Sequence, residues 1–151
     1  MSNDSAREQV TIERVFDGAT VDDVWEMWTT KDGFEAWWGP DGFVCTEKER
    51  DVRVGGVWRF DMTGPDGTVW PNRIDYREIV PESKLVMDHG DDGGDISFLV
   101  TVTFDEQQDG KTVLTMRQLH PSQEARDGGI AFGAVELGFQ TLDKLAKRLA
   151  V

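Results

Sequence analysis

The chain has 151 residues, 38% hydrophobic and 10% aromatic, a size and composition typical of one globular domain. Its formal net charge of −13 and the absence of a Lys/Arg cluster argue against nucleic acid and against an anionic membrane surface as partners. No segment is long and apolar enough to insert into a membrane.

The first predicted elements are a strand and two short helices. Residues 1–8 are polar and expected to be disordered, and Gln9 to Phe16 alternates apolar and polar residues as a strand does. Thr20 is the predicted N-cap of a helix whose apolar residues recur at steps of three and four: Val21, Val24, Trp25 and Trp28. Lys31 to Trp38 is predicted as a second helix, which ends at Gly39-Pro40 because proline cannot continue it.

A meander of antiparallel strands follows, with turn sequences such as Pro65-Asp66-Gly67 and Asp109-Gly110 between the strands. The predicted strands are Phe43 to Val54, Val57 to Thr63, Val69 to Val80, Lys84 to His89, Ile96 to Phe104 and Thr112 to His120. Cys45 lies in the first of these. As the only cysteine it excludes an internal disulfide, and it is read as a small buried hydrophobe rather than a nucleophile.

The last predicted element is a long amphipathic helix from Ile130 to Leu149. Its apolar residues recur at steps of three and four: Phe132, Val135, Phe139, Leu142, Ala146 and Leu149. The order of elements predicts an α+β fold in which a curved antiparallel sheet of six or seven strands wraps around this C-terminal helix. Such a helix can leave a cavity between itself and the sheet.

Several motifs occur in an order that resembles a known family. They are Val24-Trp25-Glu26-Met27-Trp28, Trp37-Trp38-Gly39-Pro40, Val54-Gly55-Gly56-Val57-Trp58-Arg59-Phe60, Ile79-Val80-Pro81 and Gly138-Phe139 with Leu142-Asp143-Lys144-Leu145. This pattern resembles the START-like (SRPBCC) helix-grip superfamily and, within it, the AHSA family, which is related to activators of the heat-shock-protein ATPase. The resemblance implies a single helix-grip domain over residues 9–151.

The same resemblance bears on function. The superfamily includes lipid carriers, hormone and antibiotic binders and cyclases, so it implies a container without naming its contents. The family commonly has Trp at the position of Phe139, which implies that the cavity of this chain differs in shape.

The candidate ligand-binding residues are mainly aromatic side chains that could line a space between the sheet and the final helix. They are Trp58, Phe60, Trp70, Tyr76, Phe98 and Phe139. Such a lining suits an apolar or aromatic small molecule. The alternative is that these side chains only fill the core.

The polar candidates are His89, His120 and Arg117. Imidazole titrates near neutral pH and serves as an acid, a base or a ligand contact. Arg117 could bind a carboxylate or phenolate if it faced inward, whereas an outward side chain would be a surface charge. The sequence shows no carboxylate pair suited to acid/base work, since Asp22-Asp23 belongs to a helix start and Asp91-Asp92 to a loop. It also shows no metal-ligand cluster or nucleotide fingerprint, so no catalytic residue, metal or cofactor is expected.

Three functions remain open. The first is a soluble, cytoplasmic binding protein for a small hydrophobic or aromatic ligand. The second is a cyclase, dehydratase or hydrolase that uses the same cavity. The third is an interaction module, either chaperone-associated or homodimeric, for which Trp37 and Trp38 could supply an exposed apolar patch. The abundant Asp residues are typical of a solvated surface, with a high-salt cytoplasm as the alternative.

Overall fold

The computed structural model describes the following parts of the chain: residues 9–30, 37–39, 42–92, 96–107, 110–120, 122, 124, 127 and 134–149. The start predicted to be disordered, residues 1–8, lies outside them. Most of the second predicted helix, residues 31–36, also lies outside, although Trp37 at its end is helical.

The observed elements follow the predicted order closely. They are β1 (Gln9–Asp17), α1 (Val21–Thr29), β2 (Val44–Arg50), β3 (Val57–Thr63), β4 (Val69–Val80), β5 (Lys84–Asp91), β6 (Ile96–Glu106), β7 (Lys111–Leu119) and α2 (Ala134–Leu149). Strand β2 is shorter than predicted, because the chain turns at Asp51. The Asp51 amide donates to the Val57 carbonyl over 2.8 Å, and the Gly56 amide donates to the backbone carbonyl of Arg53 over 2.8 Å.

The described strands form one seven-stranded antiparallel sheet in the order β1-β7-β6-β5-β4-β3-β2. The register shifts at three places, between Glu47 and Glu49, between Tyr76 and Glu78, and between His89 and Gly90. Such irregularities bend and twist a sheet locally. The predicted α+β helix-grip architecture, with a curved sheet and a C-terminal helix, is thereby confirmed.

Helix α1 begins at a capping box. The Thr20 hydroxyl accepts from the Asp23 amide, and the Asp23 carboxylate accepts from the Thr20 amide, both over 3.2 Å. These bonds satisfy amide groups that a helix start otherwise leaves without partners. The apolar side of α1 buries Val21, Val24 and Trp28.

Helix α2 lies against β1 and α1. It buries Leu142, Leu145 and Ala146, and an ion pair joins its Asp143 to Arg14 of β1. The inner face of the sheet is therefore the face that the helices cover. Neither α1 nor α2, as described, is long and apolar enough to cross a membrane.

Candidate ligand-binding site

A band of rings crosses the inner face of the sheet. His89 on β5 is paired in register with Phe98 on β6, and their ring centroids are 5.0 Å apart. The ring of His120, directly after β7, lies 5.1 Å on the other side of Phe98. Paired residues of antiparallel strands share one face of the sheet, so rings from neighbouring strands meet in a row.

The row continues toward β3. The Phe60 ring lies 6.2 Å from His89 and stacks on Trp58, with centroids 3.9 Å apart and planes at 24°. Trp58, Phe60, His89, Phe98 and His120 are called the aromatic band below. All five were candidates from the sequence, and the structure brings them together.

Trp38 packs against this band from the segment after α1. Its ring lies 5.8 Å from Trp58 and 6.4 Å from His89. Its neighbour Trp37 is fully buried, and its indole N–H donates to the carbonyl of Met27 over 3.0 Å. The two adjacent tryptophans thus both pack inward, and the exposed patch considered for them is not formed by their side chains.

The band is not uniformly closed. Trp58 and Phe60 are fully buried, whereas His89, Phe98 and Trp38 are only half-buried. An accessible strip of aromatic surface therefore lies in the middle of an inner face whose flanks are packed. Rings gain most from contact with an apolar or aromatic partner, so this strip is the candidate site.

His89 is oriented by Asn72 of β4. The imidazole Nε2 lies 2.9 Å from the amide oxygen of Asn72, and the Asn72 amide nitrogen donates to the carbonyl of Trp70 over 2.8 Å. Burial lowers the pKa of His89 to about 4. Desolvation disfavours the charged form of the ring, and the imidazole is therefore neutral at pH 7.

A second set of polar side chains on the inner face, Glu47 and Arg50, lies near Tyr76. Its side chain is 2% exposed, and its hydroxyl has no hydrogen-bond partner among the described residues. Burial raises the pKa of Tyr76, while the charge of Arg50 lowers it and that of Glu47 raises it. Arg50 Nε lies 3.2 Å from Glu47 Oε1, and an Arg50 guanidinium N–H donates to the carbonyl of Thr29 over 3.2 Å.

Sequence reasoning missed Glu47, Arg50 and Asn72. Asn72 could have been found, because it lies two residues from Ile74 and so shares its face of β4. Arg50 could not, since the register shift after Glu47 moves it to the inner face against simple alternation.

Besides Tyr76, three sequence candidates lie outside the band: Arg117, Trp70 and Phe139. Arg117 directly follows the buried Met116 in β7. Because successive residues of a strand face opposite sides of the sheet, Arg117 lies on the outer face. Trp70 lies near the start of β4 and is 55% exposed, and Phe139 on α2 is 40% exposed. These three side chains therefore do not contribute to the accessible strip.

A separate groove of about 370 Å³ lies near the start of α1. It is lined by Thr20, Val21, Asp22, Glu82, Phe104 and Glu106. A hydrogen bond with Asp22, with the charges of Asp22 and Glu106, raises the pKa of Glu82. Three converging carboxyl groups make this groove unsuited to an apolar ligand.

Among known protein families, one matches this sequence, and several solved structures have the same fold. The family described as Activator of Hsp90 ATPase homolog 1-like protein matches residues 18–150. No curated protein matches the sequence.

Several solved structures share the fold. Protein Ms6760 from Mycobacterium smegmatis is similar over 99% of this chain and 95% of its own, with 23% identity and a TM-score of 0.85. A protein from Arthrobacter aurescens is similar over 96% of this chain and 87% of its own, with 26% identity and a TM-score of 0.84. The AHSA1 protein from Silicibacter pomeroyi is similar over 94% of this chain and 97% of its own, with 19% identity and a TM-score of 0.73.

Proposed function

The chain belongs to the family of Activator of Hsp90 ATPase homolog 1-like proteins, and on that premise we propose that it binds a small hydrophobic or aromatic molecule. The ligand lies on the accessible strip of the aromatic band, between the sheet and α2. We place this activity in the cytoplasm, whose reducing conditions suit the free thiol of Cys45.

One observation supports the proposal above all others. Trp38, His89 and Phe98 are half-buried, although the rings beside them, Trp58 and Phe60, are fully buried. A protein that used these rings only as core would gain by covering them, because each Å² of apolar surface removed from water stabilises it by about 25 cal/mol. A bound apolar ring would cover the strip instead.

Catalysis is less well supported by the same residues. His89 and His120 lie on the inner face, as an enzyme would need, but a histidine with a pKa of about 4 is a weak base at neutral pH. A role with a chaperone or as a homodimer would need an exposed apolar surface. Of the residues considered for that surface, Trp37 is fully buried and Trp38 is half-buried against Trp58, so the two do not form a wide apolar patch.

The test uses N-phenyl-1-naphthylamine, a neutral aromatic probe whose fluorescence rises in apolar surroundings. We expect saturable binding to one site. Trp38→Leu removes a ring that flanks the strip and should weaken binding about five- to tenfold, the equivalent of one aromatic pair. Phe98→Leu is a second variant with the same expected direction.

Trp70→Leu is the matched control, because Trp70 is exposed and outside the band. Its affinity for the probe should stay within about twofold of the unchanged protein. Absence of saturable binding would contradict the proposal. So would an affinity that depends on Trp70 but on neither Trp38 nor Phe98.

A further inference from the structure

The amide of Asn72 has one orientation. Its nitrogen donates to the backbone carbonyl of Trp70 over 2.8 Å, and a carbonyl can only accept. The amide oxygen therefore points the other way, to His89 Nε2 at 2.9 Å.

That orientation determines the tautomer of His89. The Asn72 oxygen is an acceptor, so Nε2 of His89 must carry the proton and donate it. In a neutral imidazole the other nitrogen, Nδ1, then has a lone pair and no proton. Within the described part of the chain, Nδ1 has no hydrogen-bond partner.

The surroundings keep His89 in that form. Among the residues that the structure describes, the nearest rings are those of Phe98 at 5.0 Å, Phe60 at 6.2 Å and Trp38 at 6.4 Å, measured between centroids. None of them supplies a charge, and burial disfavours the protonated ring. The half-buried strip therefore presents one hydrogen-bond acceptor among aromatic faces.

We propose that the ligand is an aromatic molecule with a neutral hydroxyl group, and that this hydroxyl donates a hydrogen bond to Nδ1 of His89. The proposal rests on the proposed function, because it concerns the same strip. Asn72 acts as a positioning residue, since it touches His89 and not the ligand.

Other ligand chemistries fit less well. A carboxylate offers only lone pairs at neutral pH, which would face the lone pair of Nδ1 without a proton between them. A methyl ether oxygen likewise has lone pairs and no proton to donate to Nδ1. An ammonium group could donate, but the accessible residues of the strip, Trp38, His89 and Phe98, carry no negative charge to balance it.

The first experiment compares three ligands of similar shape as competitors of N-phenyl-1-naphthylamine: 2-naphthol, 2-methoxynaphthalene and 2-methylnaphthalene. We expect 2-naphthol to bind about two- to tenfold more tightly than the other two, the range of one hydrogen bond. His89→Phe keeps a ring in the band and removes the acceptor, so the three affinities should become equal. Arg117→Met, on the opposite face of the sheet, should keep the preference.

The second experiment reads the tautomer directly by ¹⁵N NMR of the histidine ring in the protein without ligand. We expect the proton of His89 on Nε2. Asn72→Leu removes the acceptor that holds it, and should give a mixture of both tautomers with a smaller preference for 2-naphthol. A merely structural role of Asn72 would leave the ring signals of His89 unchanged.

The outcomes separate the two proposals. If none of the three naphthalenes displaces the probe, the proposed function is wrong. If all three displace it equally, or if the His89 proton is on Nδ1, aromatic binding stands and the hydroxyl contact is wrong. A preference for 2-naphthol that survives in His89→Phe also overturns the contact.

Discussion

The Tyr76 amide donates a hydrogen bond to the Gly56 carbonyl over 3.1 Å, and the Tyr76 carbonyl accepts from the Gly55 amide over 2.9 Å. The turn that precedes β3 is thereby joined to β4 at the residue that carries the buried phenol. The Gly55-Gly56 pair is part of the motif that carries the family resemblance, and its geometry explains why both positions are glycine.

Gly56→Ala should destabilise the protein more than Gly55→Ala. A Cβ at position 56 would lie 2.1 Å from the backbone oxygen of Asp51, whereas a Cβ at position 55 meets nothing within 4 Å. Gly55 has a φ of +83°, so its substitution costs only the strain of a left-handed alanine, about 1 kcal/mol. We expect a loss above about 2 kcal/mol for Gly56→Ala in urea unfolding. Equal losses would show that the turn moves freely.

The stability of the protein should fall as the pH decreases from about 6.5 to about 4. Unfolded histidine has a pKa near 6.5 and folded His89 one of about 4, so the unfolded state binds more protons in this window. The free energy of unfolding should decrease by up to about 3 kcal/mol and change no further through this group at lower pH.

His89→Phe is the control for that pH effect. The variant lacks the titrating ring, so urea unfolding at several pH values should show a smaller slope between pH 4 and 6.5 than in the unchanged protein. An identical slope in both proteins would assign the effect to other groups.

Substitution of Glu82 should raise stability by two separable routes. Glu82 has a φ of +60° in the turn in which the Ser83 amide donates to the Val80 carbonyl over 3.0 Å, a conformation that favours glycine. Its carboxyl also lies beside Asp22 in the acidic groove, and its pKa is raised. Glu82→Gln should relieve the repulsion at neutral pH, and Glu82→Gly should relieve both repulsion and strain.

Thermal unfolding would measure both Glu82 variants. We expect the Tm to increase in the order unchanged protein, Glu82→Gln, Glu82→Gly. The gain of Glu82→Gln should disappear in acid, where Glu82 takes up its proton in the folded state. A decrease of the Tm in Glu82→Gly would contradict the strain argument.

The Arg14–Asp143 ion pair should hold α2 to β1 only weakly. Both side chains are partly exposed, so Arg14→Met should cost at most about 1 kcal/mol at low salt and less at high salt. Hydrogen exchange should nevertheless become faster in α2. Arg53→Met is the control, because Arg53 pairs with Asp51 within a single turn and joins no two elements. Faster exchange in α2 for both variants would exclude a specific role of the pair.

Strand alternation, which is visible in the sequence, predicted which side chains form much of the aromatic band. Trp58 and Phe60 are two residues apart in β3, so their shared face followed directly from the period of a strand. The same rule separates Arg117 from Met116. Alternation alone did not predict the exposure of Trp70. This residue is two positions from Asn72 and so lies on the same face of β4, yet it is exposed because it is near the end of the strand.

The sequence alone determined the fold class, the order of the elements and the amphipathic character of α1 and α2, because these depend on local periodicity and turn chemistry. The tertiary structure decided which side chains meet. His89, Phe98 and His120 lie on or directly after three different strands, and only their pairing in register places them in one row. Asn72 reaches His89 from a fourth strand, and so the proton on its ring depends on contacts that no local pattern encodes.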